Sequence, residues 1–377
     1  MRHGTLGAAL AMLGLVGIAC TDLGNLTGGA DDAGAPDASS DGGQDAPPPP
    51  PPSPVDGGSD AGLSTYIVVI GGIHAGQTYA TDVWIARVAD DGSLGAWTAR
   101  PSLLESRERM GAAVVDGLLV VACGDTDGGF LRASPEVSTV PPSTWTVGTT
   151  IAQLPNGVYR NGLLGHAGRV HLLGGSDYAT TALPTAISAP VSSAGVGSWT
   201  ASTALPEGVS SAVVLTDGPH AYVLGGDRLV DGGLAASDTG WVGDFDASGA
   251  IGSWRSVTPL LYKTSVAAGV ATGGFVYVSG GFANKTYDYV SMAPIASDGT
   301  LGAWSPAPTA LHQRAGFTLV AARGHLYRIG GEDETLNLLT SVEVADIQLG
   351  GALSAWRETT ALPVATEFHA SVTYDAP

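Results

Sequence analysis

Six times in this chain an apolar run ends in a glycine pair or a close variant: YIVVIGG (66–72), LLVVACG (118–124), RVHLLGG (169–175), HAYVLGG (220–226), FVYVSGG (275–281) and LYRIGG (326–331). The first member of each pair falls at 71, 123, 174, 225, 280 and 330, so the steps are 52, 51, 51, 55 and 50 residues. A period near fifty residues, anchored on glycines after a strand, marks a repeat architecture. In such folds each unit buries its apolar faces only against its neighbours. The 377-residue length would otherwise suggest two or three domains, and the repeat overrides that prior. A scaffold of this kind does not by itself name a ligand.

Each unit continues in the same order. A loop follows the glycines, then a strand such as TDVWIARV (81–88), YVSMAPIA (289–296) or SVEVADIQ (341–348). A tight turn comes next, as in DDGSLGAW, SDGTLGAW, DASGAIGSW and LGGALSAW. It leads to a Trp that opens another strand: Trp97, Trp145, Trp199, Trp254, Trp304 and Trp356. Asp-Gly and Gly-Gly supply the positive φ that two-residue hairpins require. Proline-bearing loops (TARPSLLES, TALPEGVSS, TALPVATE) then lead into the strand returning to the next pair, as in RMGAAVVDGLLVVACG. Short β-branched runs between turn signals place the chain in the all-β class, with four antiparallel strands per unit. The third unit (176–198) fits least well, because its third strand is rich in Pro and Ala.

The glycine pair, the spaced Trp and the period together resemble the kelch repeat over roughly residues 65–377. The resemblance implies a β-propeller in which each repeat is one four-stranded blade around a central channel. Six pairs and six Trp imply six blades. The first unit opens at Tyr66 directly on its glycine strand, and EFHASVTYDAP (367–377) matches the strand it lacks. The C-terminal strand is therefore expected to complete the first blade and close the ring, removing two sheet edges. The Trp residues are expected to pack between blades, and Cys123, standing for a glycine, to be a buried, inert filler.

The formal net charge of −19 excludes a nucleic-acid partner, which needs a basic stripe. Eight of the acids lie in 21–60, leaving 27 acids against 15 bases, or −12, from residue 61 onward. MRHGTLGAALAMLGLVGIAC carries Arg2 and an apolar stretch (6–18) too short for a bilayer, which needs about 20 residues. It reads as a signal peptide over 1–19. Val16-Gly17-Ile18-Ala19-Cys20 resembles the lipobox of bacterial lipoproteins, which implies lipidation of Cys20; Gly17 stands where that family usually has Leu. An ordinary secretion signal is the alternative. Residues 20–64 lack aromatic residues and nearly all large aliphatics, and are expected to form a disordered Asp/Gly/Pro-rich tether with a polyproline II rod at 47–52. The expected location is the bacterial cell envelope, at the outer membrane through the lipid, with secretion as the alternative. Cys20 and Cys123 are not expected to pair.

The connectivity puts the loops after the glycines and the loops before the innermost strands on one face, beside the channel mouth. Arg109 (RMG), Arg160 (RNG) and Arg314 (RAG) read as one repeat position, with Arg107 nearby. Carboxylates follow the glycines: Asp125 and Asp127, Asp177, Asp227, and Glu332, Asp333 and Glu334. Converging arginines suit an anionic ligand, either a carboxylate side chain or an acidic sugar. The competing reading pairs each Arg with a rim acid and merely closes the channel, and Asp beside Gly is also ordinary turn chemistry. Tyr79, Tyr178 and Tyr287 are further contact candidates; His166 and His369 are expected to satisfy backbone groups.

No His pair has metal-ligand spacing, and no triad order, phosphate loop or dinucleotide fingerprint occurs, so no cofactor and no catalytic residue are assigned. Two enzyme families on kelch propellers bear on this. Copper radical oxidases similar to galactose oxidase need two His, two Tyr and a Cys cross-linked to Tyr, and no such set assembles around Cys123. Sialic acid mutarotases use channel arginines and a carboxylate. That resemblance implies Arg109, Arg160 and Arg314 with Glu108 or Glu367. The leading expectation is a monomeric binding module for a protein or glycan partner, touching membrane only through its anchor. The alternative is a periplasmic carbohydrate-active enzyme.

Overall fold

The structure is a computed structural model that describes residues 62–377 apart from 128, 155 and 178–181. The expected signal segment, Cys20, almost all of the tether and Tyr178 lie outside the described residues. Among the described residues the chain is all-β, with a single 3-10 turn at Leu349–Gly351 and no helix long and apolar enough to cross a membrane.

The strands form six antiparallel sheets, one per glycine pair, with small two- and three-stranded ribbons in the loops. The fourth sheet shows the plan: Val213–Asp217, His220–Leu224, Gly240–Phe245 and Ile251–Ser256 pair in chain order. Each glycine pair ends the second strand of its meander. The pairs are glycine for two reasons at once. Gly72 has φ 99°, and a Cβ there would lie 2.5 Å from the Glu367 carbonyl oxygen; an L side chain tolerates neither. Cys123 adopts the same left-handed conformation at φ 66°. It is fully buried, and burial pushes its thiol up to about 12, which makes it the inert filler expected.

The third unit, which fits the repeat least well in composition, still supplies the expected third strand. Its Pro- and Ala-rich segment forms Ala186–Ser192, in register with Arg169–Leu173 and paired on its other edge with both Gly195–Val196 and Thr200–Ala201. The Ala and Ser side chains suit a strand buried on both faces, and Pro190 falls at an exposed position beyond them. The first sheet gains its missing member from the C-terminus. Ala370–Ala376 runs antiparallel to Ser64–Ile70, from Ser64 opposite Ala376 to Ile70 opposite Ala370.

Neighbouring sheets are joined by apolar and polar contacts of one repeated type. The apolar core consists of six clusters, each held between two successive sheets, with one between the sixth and the first. The innermost strands lie side by side in the order Gly111–Val115, Gly162–His166, Val213–Asp217, Ala268–Thr272, Thr318–Ala322 and Ala370–Ala376; the last also neighbours the first. Each Trp indole N–H donates to a carbonyl of the preceding unit, as Trp145 to Pro101 at 2.8 Å and Trp304 to Thr258 at 3.0 Å. Trp97 reaches Thr360 of the last unit at 3.1 Å. These Trp residues pack between sheets, as their spacing predicts.

Candidate functional site at the mouth of the inner strands

One residue just before each innermost strand takes a left-handed conformation: Arg109, Arg160, Ser211, Val266, Gly316 and Phe368, with φ between 48° and 63°. Their backbones link head to tail. Arg160 N–H donates to Arg109, Ser211 to Arg160, Val266 to Ser211, Gly316 to Val266, Phe368 to Gly316 and Arg109 to Phe368, over 2.7–3.3 Å. The circuit is closed. Holding five non-glycine residues, one of them β-branched, in this region costs roughly 1–3 kcal/mol each and persists only where the surroundings over-determine it. Such strain collects at ligand sites, which makes this circuit the place to look for one.

An open cavity of about 120 Å³ lies at the circuit, lined by those six residues and the residue after each. One side is polar, with Arg109, Arg160, Asn161, Ser211 and His369; the other is apolar, with Met110, Val266, Phe317 and Phe368. The Arg109 guanidinium pairs with Glu108 and stacks 3.8 Å over the Phe368 ring. Arg160 lies 5.2 Å over Tyr159 and makes no ion pair among the described residues. Beside it, the Asn161 side chain is 8 % exposed, and neither its oxygen nor its nitrogen finds a hydrogen-bond partner in the protein. His369 donates or accepts at the Thr318 hydroxyl (3.0 Å) rather than a backbone group, and burial holds it neutral, with its pKa down at about 3. His166 likewise stacks on Phe245, 3.9 Å between centroids, instead of serving the backbone.

Carboxylates crowd behind Arg109. Glu108 bridges to Asp125 and Ala315 to Glu332, so loops of different units bring their acids together. Burial, with Asp125 adding to it against the pull of Arg109, pushes Glu108 up to about 7. Glu332 and Glu367 meet carboxyl to carboxyl; burial holds both above the ordinary range, repulsion from Glu332 adds to it at Glu367, and Arg109 and the bond from Glu367 work against it at Glu332. Tyr79 stands beside the same group and is pushed up to about 12, chiefly by burial. Asp227 bridges to Ser210 and is raised by burial. Asp177 sits half-buried after the third glycine pair and does not line the cavity. Among the described residues no group of three or more His, Cys, Asp or Glu is arranged to hold a metal ion.

The register separates the four predicted arginines into two pairs. Arg109 and Arg160 occupy the mouth. Arg314 belongs to the position of Arg107, two residues earlier in the repeat, because Gly316 itself takes the left-handed place. Both displaced arginines are buried and matched. Arg107 pairs with Glu136 at 3.0 Å, and Arg314 pairs with Glu343, which also receives Arg328 at 2.6 Å and His312 at 2.8 Å. For these two, the reading of an Arg satisfied by a neighbouring acid holds. Sequence reasoning passed over Glu136, Glu343 and Asn161. A signal did exist for the acids, since 29 residues separate Arg from Glu in both pairs.

Six antiparallel sheets, five of them four-stranded and the third five-stranded, make the chain an all-β protein with the β-propeller fold. Among solved structures it is similar to one titled "Structure of YjhT", with a TM-score of 0.60 over 77 % of this chain and 96 % of that one, at 14 % identity. That likeness is one of fold. No family model and no curated protein matches the sequence.

Proposed function

We propose that the six sheets are blades of one closed, kelch-type propeller, and that its loop-side mouth binds the carboxylate group of a glycan or protein partner. The inner strands that return to their start, the six sandwiched cores and the bond from Trp97 to Thr360 support closure. The observation that carries the binding reading is Arg160 beside Asn161. A half-buried guanidinium without an ion pair among the described residues and a buried amide without any hydrogen bond face one cavity, and a carboxylate would accept from the guanidinium and from the amide nitrogen. The apolar wall opposite suits the rest of the partner group. Calorimetry with glucuronic acid, sialic acid and Asp/Glu-containing peptides tests this. Arg160→Ala should weaken the best ligand roughly tenfold or more, as loss of a charge-assisted bond does. Equal affinity in the variant, or no binding by any of these probes, overturns the reading.

A second reading, acid–base catalysis on an acidic sugar at the same mouth, is favoured by Glu108. A carboxyl raised to about 7 beside an arginine is poised to exchange protons near neutrality. Anomer-exchange NMR on sialic acid separates the two readings. Catalysis predicts exchange that Glu108→Gln abolishes while binding persists; absence of exchange in the wild type leaves binding alone.

For the chain as a whole we propose removal of 1–19, a lipid on Cys20, a tether over 20–64 and display at the bacterial cell envelope. Metabolic labelling with a palmitate analogue should mark the wild type and not Cys20→Ser. Label persisting in the variant excludes a thioether there.

A further inference from the structure

We infer that the partner at the mouth is a second copy of this chain, which inserts the tip of its fourth-unit loop ribbon, Asp231, beside Arg160. The chain then pairs about a two-fold axis and is not the monomer expected. This inference rests on the reading of the mouth as a carboxylate site and names the protein that supplies the carboxylate.

The step from the fourth glycine pair to the fifth is the longest of the five, at 55 residues. Its loop folds as Asp227–Val230 paired with Gly233–Ala236, four residues a strand where the ribbons of the first and second units have two. Val230 pairs with Gly233, so the turn holds only Asp231 and Gly232, at φ 49° and 81°. Positive φ at both positions is the requirement of a tight type I′ hairpin. At the base, buried Arg228 stacks 3.9 Å over Trp241 and pairs with Glu207 at 2.9 Å. From Leu229 to Ala235 every residue is exposed, so the ribbon stands clear of the body. The base is fixed and the tip is bare.

That tip is one carboxylate among aliphatic side chains. Leu229, Val230 and Leu234 are 61, 53 and 40 % exposed, with Leu229 directly opposite Leu234. A two-stranded ribbon is marginal in water by itself, and bare aliphatic groups on it call for a cover. The Asp231 carboxylate has no hydrogen bond or ion pair among the described residues.

The mouth is the complement of this tip. Arg160 makes no ion pair there, the Asn161 amide nitrogen is unbonded, and the facing wall of the cavity is apolar. A space of about 120 Å³ admits a carboxymethyl group. Loop tips of the same face expose Leu104, Leu261, Phe282, Leu311 and Leu336, against which the ribbon's aliphatic side chains can rest. Within one molecule Asp231 stays exposed and does not line the cavity. Two copies related by a two-fold axis match both halves at once, each ribbon in the other's mouth, and such an interface closes on itself.

Sedimentation velocity tests the pairing on the full chain carrying Cys20→Ser, in which no lipid drives association. It should dimerise with a dissociation constant below about 1 mM. Asp231→Asn removes the charge and keeps the turn, since Asn-Gly forms the same hairpin. It should weaken the dimer at least about tenfold, and Arg160→Ala should do the same. A mixture of the two variants restores one intact contact of ribbon and mouth per pair, so it should dimerise more strongly than either variant alone. An Asp231→Asn dimer as tight as the wild type, or a mixture no better than its parts, overturns the inference. The small carboxylates keep the two readings apart, because Asp231→Asn leaves the mouth intact and should bind the best of them at least as tightly as the wild type. A chain that binds them yet stays monomeric overturns the second copy as partner and leaves the mouth reading in place; a chain that does neither overturns both.

Discussion

The sixth sheet and the channel mouth handle charge in opposite ways. In the sixth sheet Glu343 is 0 % exposed and meets Arg314, Arg328 and His312, and the two guanidinium groups with the His312 hydrogen bond drive its pKa down despite its burial. Behind the mouth, Glu108 is almost as buried, yet one of its oxygens has no partner and its pKa goes up. Arg160 makes no ion pair among the described residues, and its charge reaches Glu108 and Asp227 only at longer range. Matched charge of the first kind holds strands in place, and removing a partner strands the other. Unmatched charge of the second kind weakens the fold and marks a candidate functional site. The contrast separates arginines that look alike in sequence.

The comparison is broken most severely by Glu343→Gln. That change leaves Arg314 and Arg328 buried beside a neutral amide and should cost about 3–5 kcal/mol in urea unfolding; a loss under 1 kcal/mol would mean that the pairs are not what holds the sheet. The next largest effect is a pH dependence at Glu108. Its folded value of about 7 lies above the ordinary 4.5, so the native state binds the extra proton between these values. Stability should be greatest below pH 4.5 as far as this group is concerned, and fall as pH rises through about 7. The fall amounts to on the order of 3 kcal/mol at 1.36 kcal/mol per unit. Melting curves of Glu108→Gln should show a shallower fall, with the remainder, of the same sign, due to Glu332 and Glu367. The smallest effect is expected for Arg160→Ala, within about 0.5 kcal/mol of wild type, as for a side chain outside any network. A destabilisation like that of Glu343→Gln would move Arg160 into the structural class and remove the basis of the mouth as an anion site.

Much of the fold is legible in the sequence because its signals are backbone demands. A glycine pair at positive φ with a carbonyl pressed against it, and a Trp whose indole N–H bridges to the preceding unit, recur wherever the geometry recurs. The site is less legible for a reason Arg314 makes plain. R-x-G at 109–111 and 160–162 begins with the left-handed residue, whereas at 314–316 the glycine takes that conformation and the arginine slides inward. Nothing in the three letters distinguishes the cases, since glycine adopts either conformation freely. The Pro- and Ala-rich strand of the third unit stands where the repeat expects it, although it fits the pattern least well. Its composition argues against a strand, but small side chains are what a doubly covered position accepts, and Pro190 falls where no inward contact is required.

The pairing of Ser64–Ile70 with Ala370–Ala376 sets a schedule for biosynthesis. A ribosome adding about 5–20 residues per second needs roughly 15 to 60 s to make the intervening chain. Through that interval the earliest strand waits with one side bare. Sheets two to five can assemble from chain already made, while the first must wait for the last residues. A message cut short anywhere upstream of Ala370 yields a product with an adhesive edge, a ready substrate for chaperones and for the proteases behind them.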